Sequence, residues 1–408
     1  MTTEITEIIK GFKQYSENPY KDTINFLKEY LEVEESSEAY FELGKALFFN
    51  GDYDESIECL IKSDDYRSDA YLGLDHYRKQ EYETAIEHFK KFLRKNTNET
   101  VLGYLMLSYE HHNDWKNAIR CGEELLEINP ENKSVKMHLI DCHFNYREYE
   151  RSLEYINELD DRKLRYKKGL VLHKLKRYEE AIAELAGVKS AESYLLIGKT
   201  YEKLNKPGKA VRFLMKSYDI DGNIETLFEI SEISFKNGNH NHSIQILEDI
   251  LLEDPKNERA LETIAKNYLE LQKFELVIEY CEELLKVNAD NSNAYLYLSE
   301  TYHYLHDLER SFECAERGLE INPESAELWI RKAWMHYDMD FEEFKRTYET
   351  TFSLEPNNVE NFIRLINQCG WSDDLKSAQK YYEKLLFYNP TFTMSLDEII
   401  SGVIRLHY

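Results

Sequence analysis

Histidine and cysteine come closest to chemistry in this sequence of 408 residues. His138 and Cys142 stand four apart, so a helix would turn both to one face as half of a zinc site, with His143 adjacent. Two ligands leave a tetrahedral site half built, and nothing in the sequence makes His111 and His112 converge on them. His240 and His242 fall in the turn-like stretch NGNHNHS and are expected to point into solvent. Six cysteines, Cys59, Cys121, Cys142, Cys281, Cys314 and Cys369, lie tens of residues apart with no C-x-x-C pair. They read as free thiols of a reducing compartment, most of them small buried hydrophobes. A phosphate loop, a G-x-S-x-G elbow, an H-E-x-x-H pair and a dinucleotide fingerprint are all missing. The expectation is a protein that is not an enzyme and holds neither metal nor cofactor.

Charge is the sharper signal. The chain carries a formal −26, which disfavours nucleic acid as a partner because phosphate binding needs a field of the opposite sign. Between Arg162 and Lys216, however, fifteen Lys and Arg face five Glu and no Asp, a net of +10. The first 65 residues, by contrast, hold sixteen acids against six Lys. A basic island therefore interrupts an acidic chain.

These side chains must be carried by helices. Only 15 Gly and 7 Pro argue against a sheet-and-turn fold, and 42% hydrophobic residues suffice for a continuous core. From Glu258 to Trp329 the pattern repeats itself. Leu261, Ile264, Ala265, Tyr268, Val277, Cys281 and Leu284 recur 34 residues later as Tyr295, Leu298, Ser299, Tyr302, Ser311, Ala315 and Gly318. Anchoring each unit on the small residue of its second helix gives Ser56, Ala85, Ala118, Ser152, Ala181, Ala210, Ser243, Val277, Ser311, Phe344 and Ala378. Seven of the ten intervals are 33 or 34 and three are 29, so the helices after Ser56, Ser152 and Ala181 are expected to be short by about a turn. Phe344 stands where a small residue lets two helices approach, and that unit is expected to splay.

A small residue at the eighth slot, an aromatic at the eleventh, a small residue near the twentieth and a closing Asn322-Pro323 resemble the tetratricopeptide repeat. The resemblance implies an all-α, right-handed superhelical solenoid of stacked helix-turn-helix hairpins. Residues 1–34 are then an N-terminal capping hairpin, 35–392 about eleven repeats and 393–408 a C-terminal capping helix. That helix opens on the capping box of Ser395 and Glu398, with Leu396, Ile399, Ile400, Val403, Ile404 and Leu406 on its apolar side.

Repeats of this family bind proteins, so the resemblance implies a protein-interaction scaffold or adaptor that docks a partner's peptide or helix in its concave groove. Slots two, five, nine and twelve line that groove by resemblance. Here they hold Phe41, Phe48, Tyr77, Met137, Phe144, Tyr166, His173, Phe228, Phe235, Trp334 and Tyr337, mixed with Lys163, Lys199 and Asp141. The rings could equally pack on the neighbouring repeat. The ninth slots contain one Asn, Asn367, so the Lys and Asn clamp that some family members use on a chaperone's C-terminus is absent. Within the basic island Lys174 and Lys203 share one slot and Arg177 and Lys206 another. The second slot is elsewhere mostly acidic, as in Asp52, Glu81, Asp114, Glu148 and Asp307. The four are expected to form a positive ridge for an acidic segment of another protein, or for the acidic end of a second copy in a homo-oligomer. A peptide-sensing regulator acting on other proteins, without a DNA-binding domain, is the alternative. With no basic leader, no long apolar run and no lipidation signal at IRLHY, a cytoplasmic protein with no membrane partner is expected.

Overall fold

The computed structural model describes residues 2–15, 17–337 and 340–401. These residues form α-helices throughout, joined by short turns and one 3-10 turn, and the chain divides into two compact units, Met1–Lys189 and Ser190–Tyr408. The first unit contains α1 (Thr2–Tyr15), α2 (Pro19–Val33), α3 (Ser37–Asn50), α4 (Tyr53–Ile61), α5 (Ser68–Arg78), α6 (Tyr82–Leu93), α7 (Glu99–His111), α8 (Trp115–Ile128), α9 (Lys133–Asn145), α10 (Tyr149–Leu159), α11 (Arg165–Lys174) and α12 (Tyr178–Leu185). The second contains α13 (Ala191–Lys203), α14 (Pro207–Asp221), α15 (Ile224–Lys236), α16 (His240–Glu253), α17 (Glu258–Glu270), α18 (Phe274–Val287), α19 (Ser292–Tyr304), α20 (Leu308–Ile321), α21 (Ala326–Trp334), α22 (Phe341–Leu354), α23 (Val359–Trp371), α24 (Leu375–Tyr388) and α25 (Leu396–Ile400). From α3 onward they pair as hairpins, each a first helix followed by a second.

Most hairpins start on a side chain that satisfies free backbone donors, although α5 and α11, which follow Arg67 and Leu164, do not. Asn257 and Asn291 accept from the amides of Ala260 and Ala294 at 3.1 and 2.9 Å, an N-cap worth about 1 kcal/mol each. The two helices then close on small side chains. Ala85, Ala118, Ala210 and Val277 are fully buried. At Gly73 an added Cβ would lie 2.5 Å from the Phe89 ring, so the side chain is missing because the neighbouring helix occupies its space. Between α3 and α4, Gly51 takes φ 93°, a backbone state that costs other residues more.

Second helices α4, α10 and α12 span 9, 11 and 8 residues, against 14 in α8, α18 and α20. The turns missing from α4 and α12 account for most of two of the 29-residue intervals, whereas in the one after Ser152 the first helix α11, with 10 residues against 13 in α9, shares the shortfall with α10. Phe344 does not splay its hairpin. It is fully buried among the rings of Trp334, Tyr337, Phe341 and Tyr348, and α21, only 9 residues long, ends early enough to leave room for it. At the C-terminal end the Ser395–Glu398 capping box is formed and opens α25, whose Ile399 is buried. Val403, Ile404 and Leu406 lie outside the described residues. Among the described residues no helix is long and apolar enough to cross a membrane.

Candidate partner-binding surfaces

In the second unit, first helices lie side by side and leave recesses between them. One, of about 260 Å³, is lined by Phe228, Phe235, Arg259, Lys266 and Tyr297 from α15, α17 and α19. Its rings are not bare. The Arg259 guanidinium lies 4.0 Å from the Phe228 centroid and the Lys266 ammonium 5.0 Å from that of Phe235. Phe228 is itself buried, so it supplies floor and not an accessible contact. Arg259 is held by Glu225 at 2.8 Å, whereas Lys266 is exposed and pairs with no carboxylate among the described residues. A second recess, about 290 Å³, lies between α19, α21 and α23 and is lined by Arg331, Arg364, His303 and Trp334. Glu300 accepts from Arg331 at 2.8 Å, and burial, with Arg331 and His306 nearby, pushes the His303 imidazole below its usual value.

Several residues of the first unit that the slots assign to a groove are occupied from within. Lys167, which the slot pattern does not single out, reaches from α11 to Asp141 at 2.6 Å and sits 4.3 Å above the Phe144 ring. Asp141 and Phe144 thus hold α11 against α9. Arg67 covers Phe41 in the same way, 4.2 Å from its centroid, and Phe41 is 1% exposed. His173 packs its ring on Tyr178 and Tyr166 is half-buried. Met137, 41% exposed, and Lys163 remain open to solvent. The His138 imidazole meets Glu110 at 2.9 Å, and that bond holds it above its usual value. Cys142 is buried with its thiol pushed up to about 12 by desolvation, so the pair is committed to packing. Among the described residues no three His, Cys, Asp or Glu cluster as a metal set. His240 and His242 do not simply face water, because their Nδ1 atoms meet Asn267 and Ser234 at 3.2 and 2.8 Å. The recurrent small polar slots draw them back to the helices.

Lys174 and Arg177 belong to the first unit, and Lys203 and Lys206 to the second. Lys174, Lys203 and Lys206 are exposed and pair with no carboxylate among the described residues. Arg177 does not act as a free cation. Its guanidinium donates through two nitrogens to Glu180, at 2.7 and 2.5 Å, because the first turn of α12 supplies the acid three residues on. Lys199 is bound by Glu229 at 2.9 Å. The slot pattern also passed over the outer face of α14. There Lys209, Arg212 and Lys216 follow at helical spacing with Phe213 among them. Lys216 lies 4.9 Å from the Phe213 centroid and 5.5 Å from that of Tyr194, and Lys209 5.5 Å from that of Tyr201. The i, i+3, i+4, i+7 run of three cations and a ring was the available signal.

A family model of the tetratricopeptide repeat matches residues 37–69 and 191–223, which begin on α3 and α13. The chain is a tetratricopeptide-repeat protein. A model of subunit 3 of the anaphase-promoting complex, cyclosome, matches residues 111–188 of this repeat protein. No curated protein sequence matches it. Among solved structures, the repeat protein is similar to yeast Tom70 over 98% of its own length and 94% of that chain, with 14% identity and a TM-score of 0.44. It is also similar to Naa15/Naa10 bound to HypK-THB, over 98% and 70%, with 12% identity and a TM-score of 0.46. The C-terminal part of a TPR repeat-containing protein from Cytophaga hutchinsonii covers 58% of the repeat protein and 99% of itself, at 17% identity and a TM-score of 0.41.

Proposed function

We propose that this tetratricopeptide-repeat protein is an interaction scaffold that docks an acidic peptide or helix of a partner protein on its first-helix faces, steered by the basic segment 162–216. The supporting observation is charge segregation. In a chain of net −26, Lys174, Lys203 and Lys206 stand exposed with no carboxylate partner among the described residues. Unpaired cations in an acidic protein are a local attraction for acid and add more to association rate and selectivity than to affinity. The recesses beside Lys266 and Trp334 offer the ring surface against which a docked segment could bury apolar side chains.

The test is a fluorescein-labelled peptide of Glu, Ala and Leu titrated by anisotropy. Binding is expected to weaken several-fold between about 50 and about 300 mM NaCl, as the screening length contracts. It is also expected to weaken in the triple variant Lys174→Glu, Lys203→Glu, Lys206→Glu. Equal affinity of that variant and the unmodified protein would remove the steering role, and absence of binding at any salt would remove the acidic partner.

A further inference from the structure

The second unit contains its own example of what a pair of cations flanking a ring takes up. On α24, Lys380 and Lys384 flank Tyr381, with ammonium groups 5.1 and 5.9 Å from the ring centroid. The Glu349 carboxylate, from α22, accepts from Lys380 at 2.8 Å and lies 3.6 Å from Lys384. Burial works against the charge of Glu349, yet the Lys380 bond, Lys384 and the Tyr381 hydroxyl keep it below the usual carboxylate range. The carboxylate is thus bound between two cations, with the Tyr381 hydroxyl as a third partner.

Counting from the small residue that anchors each second helix, α14 carries the same three positions. Lys380, Tyr381 and Lys384 follow Ala378 by two, three and six residues, and Arg212, Phe213 and Lys216 follow Ala210 by the same steps. Both anchors are fully buried, so the two triads leave their helices in the same direction. The difference is the acid. No carboxylate among the described residues pairs with Arg212 or Lys216, and Lys209 adds a third unpaired cation beside Tyr201. Other second helices of this unit break the pattern with acids, as Glu279 and Glu283 do on α18. The ring is kept, since Phe213 stacks on Tyr201 at 5.5 Å and meets Tyr194 at 6.1 Å. Only the phenolic hydroxyl of Tyr381 has no counterpart.

We propose that Arg212, Phe213 and Lys216 form an open carboxylate site on α14, which takes a Glu or Asp from an acidic segment of a partner protein as α24 takes Glu349. Arg212 offers a planar fork that can hold the carboxylate through two bonds, Lys216 a point charge beside it, and the Phe213 and Tyr194 rings a surface for the aliphatic stem. A partner helix fits this better than a nucleic acid, because phosphates would face the repulsion of the acidic remainder of the chain. This inference rests on the acidic-partner reading above and adds to its first-helix faces a carboxylate contact on a second helix, α14.

The experiment uses the full chain and a short helical peptide of Ala, Leu and Glu, with a twin in which every Glu is Gln. The Glu peptide is expected to bind and its Gln twin to bind at least about tenfold more weakly. Arg212→Glu with Lys216→Glu should weaken the Glu peptide about tenfold or more, the neutral pair Arg212→Gln with Lys216→Gln less so, and Lys376→Glu on α24 not at all. Unchanged thermal unfolding in the variants separates loss of the site from loss of the fold. If the Glu peptide binds but only the Lys174, Lys203 and Lys206 variant weakens it, the α14 site is wrong and the acidic-partner reading survives. If no acidic peptide binds, both fall. Oligouridylate displacing the peptide, or a concentration-dependent dimer abolished by the same α14 variants, would overturn the assignment by naming a different occupant.

Discussion

Asp75 is a carboxylate with 0% exposure, in contact with one hydroxyl. Ser56 Oγ lies 2.7 Å from Asp75 Oδ2 and 2.8 Å from the Gly44 carbonyl, and a hydroxyl has a single hydrogen to give. Both contacts are satisfied if Asp75 is protonated, donating to Ser56 while Ser56 donates to Gly44. Burial pushes the Asp75 carboxyl up to about 7, in agreement with that arrangement. Because the folded value lies above the unfolded one near 4, the folded chain binds the extra proton between them, and stability declines as pH rises from about 4 to about 7. Two repeat-equivalent residues show the remedy. Asn267 stands where Asp75 does and donates its amide to Ser243, the counterpart of Ser56, at 3.1 Å. Asp75→Asn is therefore expected to be close to neutral at pH 4 and to stabilise by on the order of 2 to 4 kcal/mol at pH 8, flattening the pH profile. Urea unfolding at the two pH values checks it. A variant that is less stable at pH 8 would mean that the carboxylate is ionised and paired.

At the scale of the element, α22 and α24 are joined through a buried ammonium. Lys345 is 5% exposed and donates to Glu342 at 2.7 Å, to Ser377 at 3.1 Å and to Asp374, with the Phe341 ring 5.2 Å away. Asp374 also caps α24 by accepting from the Ser377 amide at 3.1 Å. Burial raises its carboxyl, but the Lys345 bond and the capping contacts outweigh it and hold the group at about 2. Its folded value lies below the unfolded one, so this contribution is present above about 4 and is lost as pH falls toward 2. Lys345→Met strands Asp374 and should cost about 3 kcal/mol at pH 7, with less of the cost visible near pH 2. Chemical denaturation at both pH values reads it. The sequence makes the helices themselves legible, since the small residues at Ala265, Ser299 and Ala118 keep register with the backbone they must fit. It leaves the partners of long side chains unread. Slot position marked Phe144, Asp141 and Arg177 as surface for a partner, but Lys167 and Glu180 reach them, and such reach depends on rotamers and neighbouring hairpins, not on spacing. The α14 site was hidden for the converse reason, because its likeness to α24 emerges only once Glu349 is seen between Lys380 and Lys384.

For the whole molecule the governing quantity is its excess of acid, 77 Asp and Glu against 51 Lys and Arg. Many surface ion pairs are present, such as Lys286 with Glu283 and Arg317 with Glu320, but exposed pairs contribute roughly 0 to 1 kcal/mol each. The uncompensated charge repels itself over longer distances and opposes the compact state. Added salt weakens both effects, yet it acts most fully on charges that are far apart, since the screening length falls from about 10 Å at 0.1 M to about 3 Å at 1 M. Thermal unfolding at pH 7.5 should therefore move to higher temperature as NaCl rises from about 20 to about 500 mM, while an acidic partner binds more weakly over the same range. Opposite signs for the two responses separate repulsion within the chain from attraction at its basic segment. The sequence pI of about 5.0 provides the control, because near that pH the net charge is small and the stabilisation by salt should largely vanish. A midpoint that falls with salt at pH 7.5 would mean that paired contacts dominate, and Lys286→Gln and Arg317→Gln would then make the slope shallower; under self-repulsion the same two substitutions deepen the acid excess and steepen it.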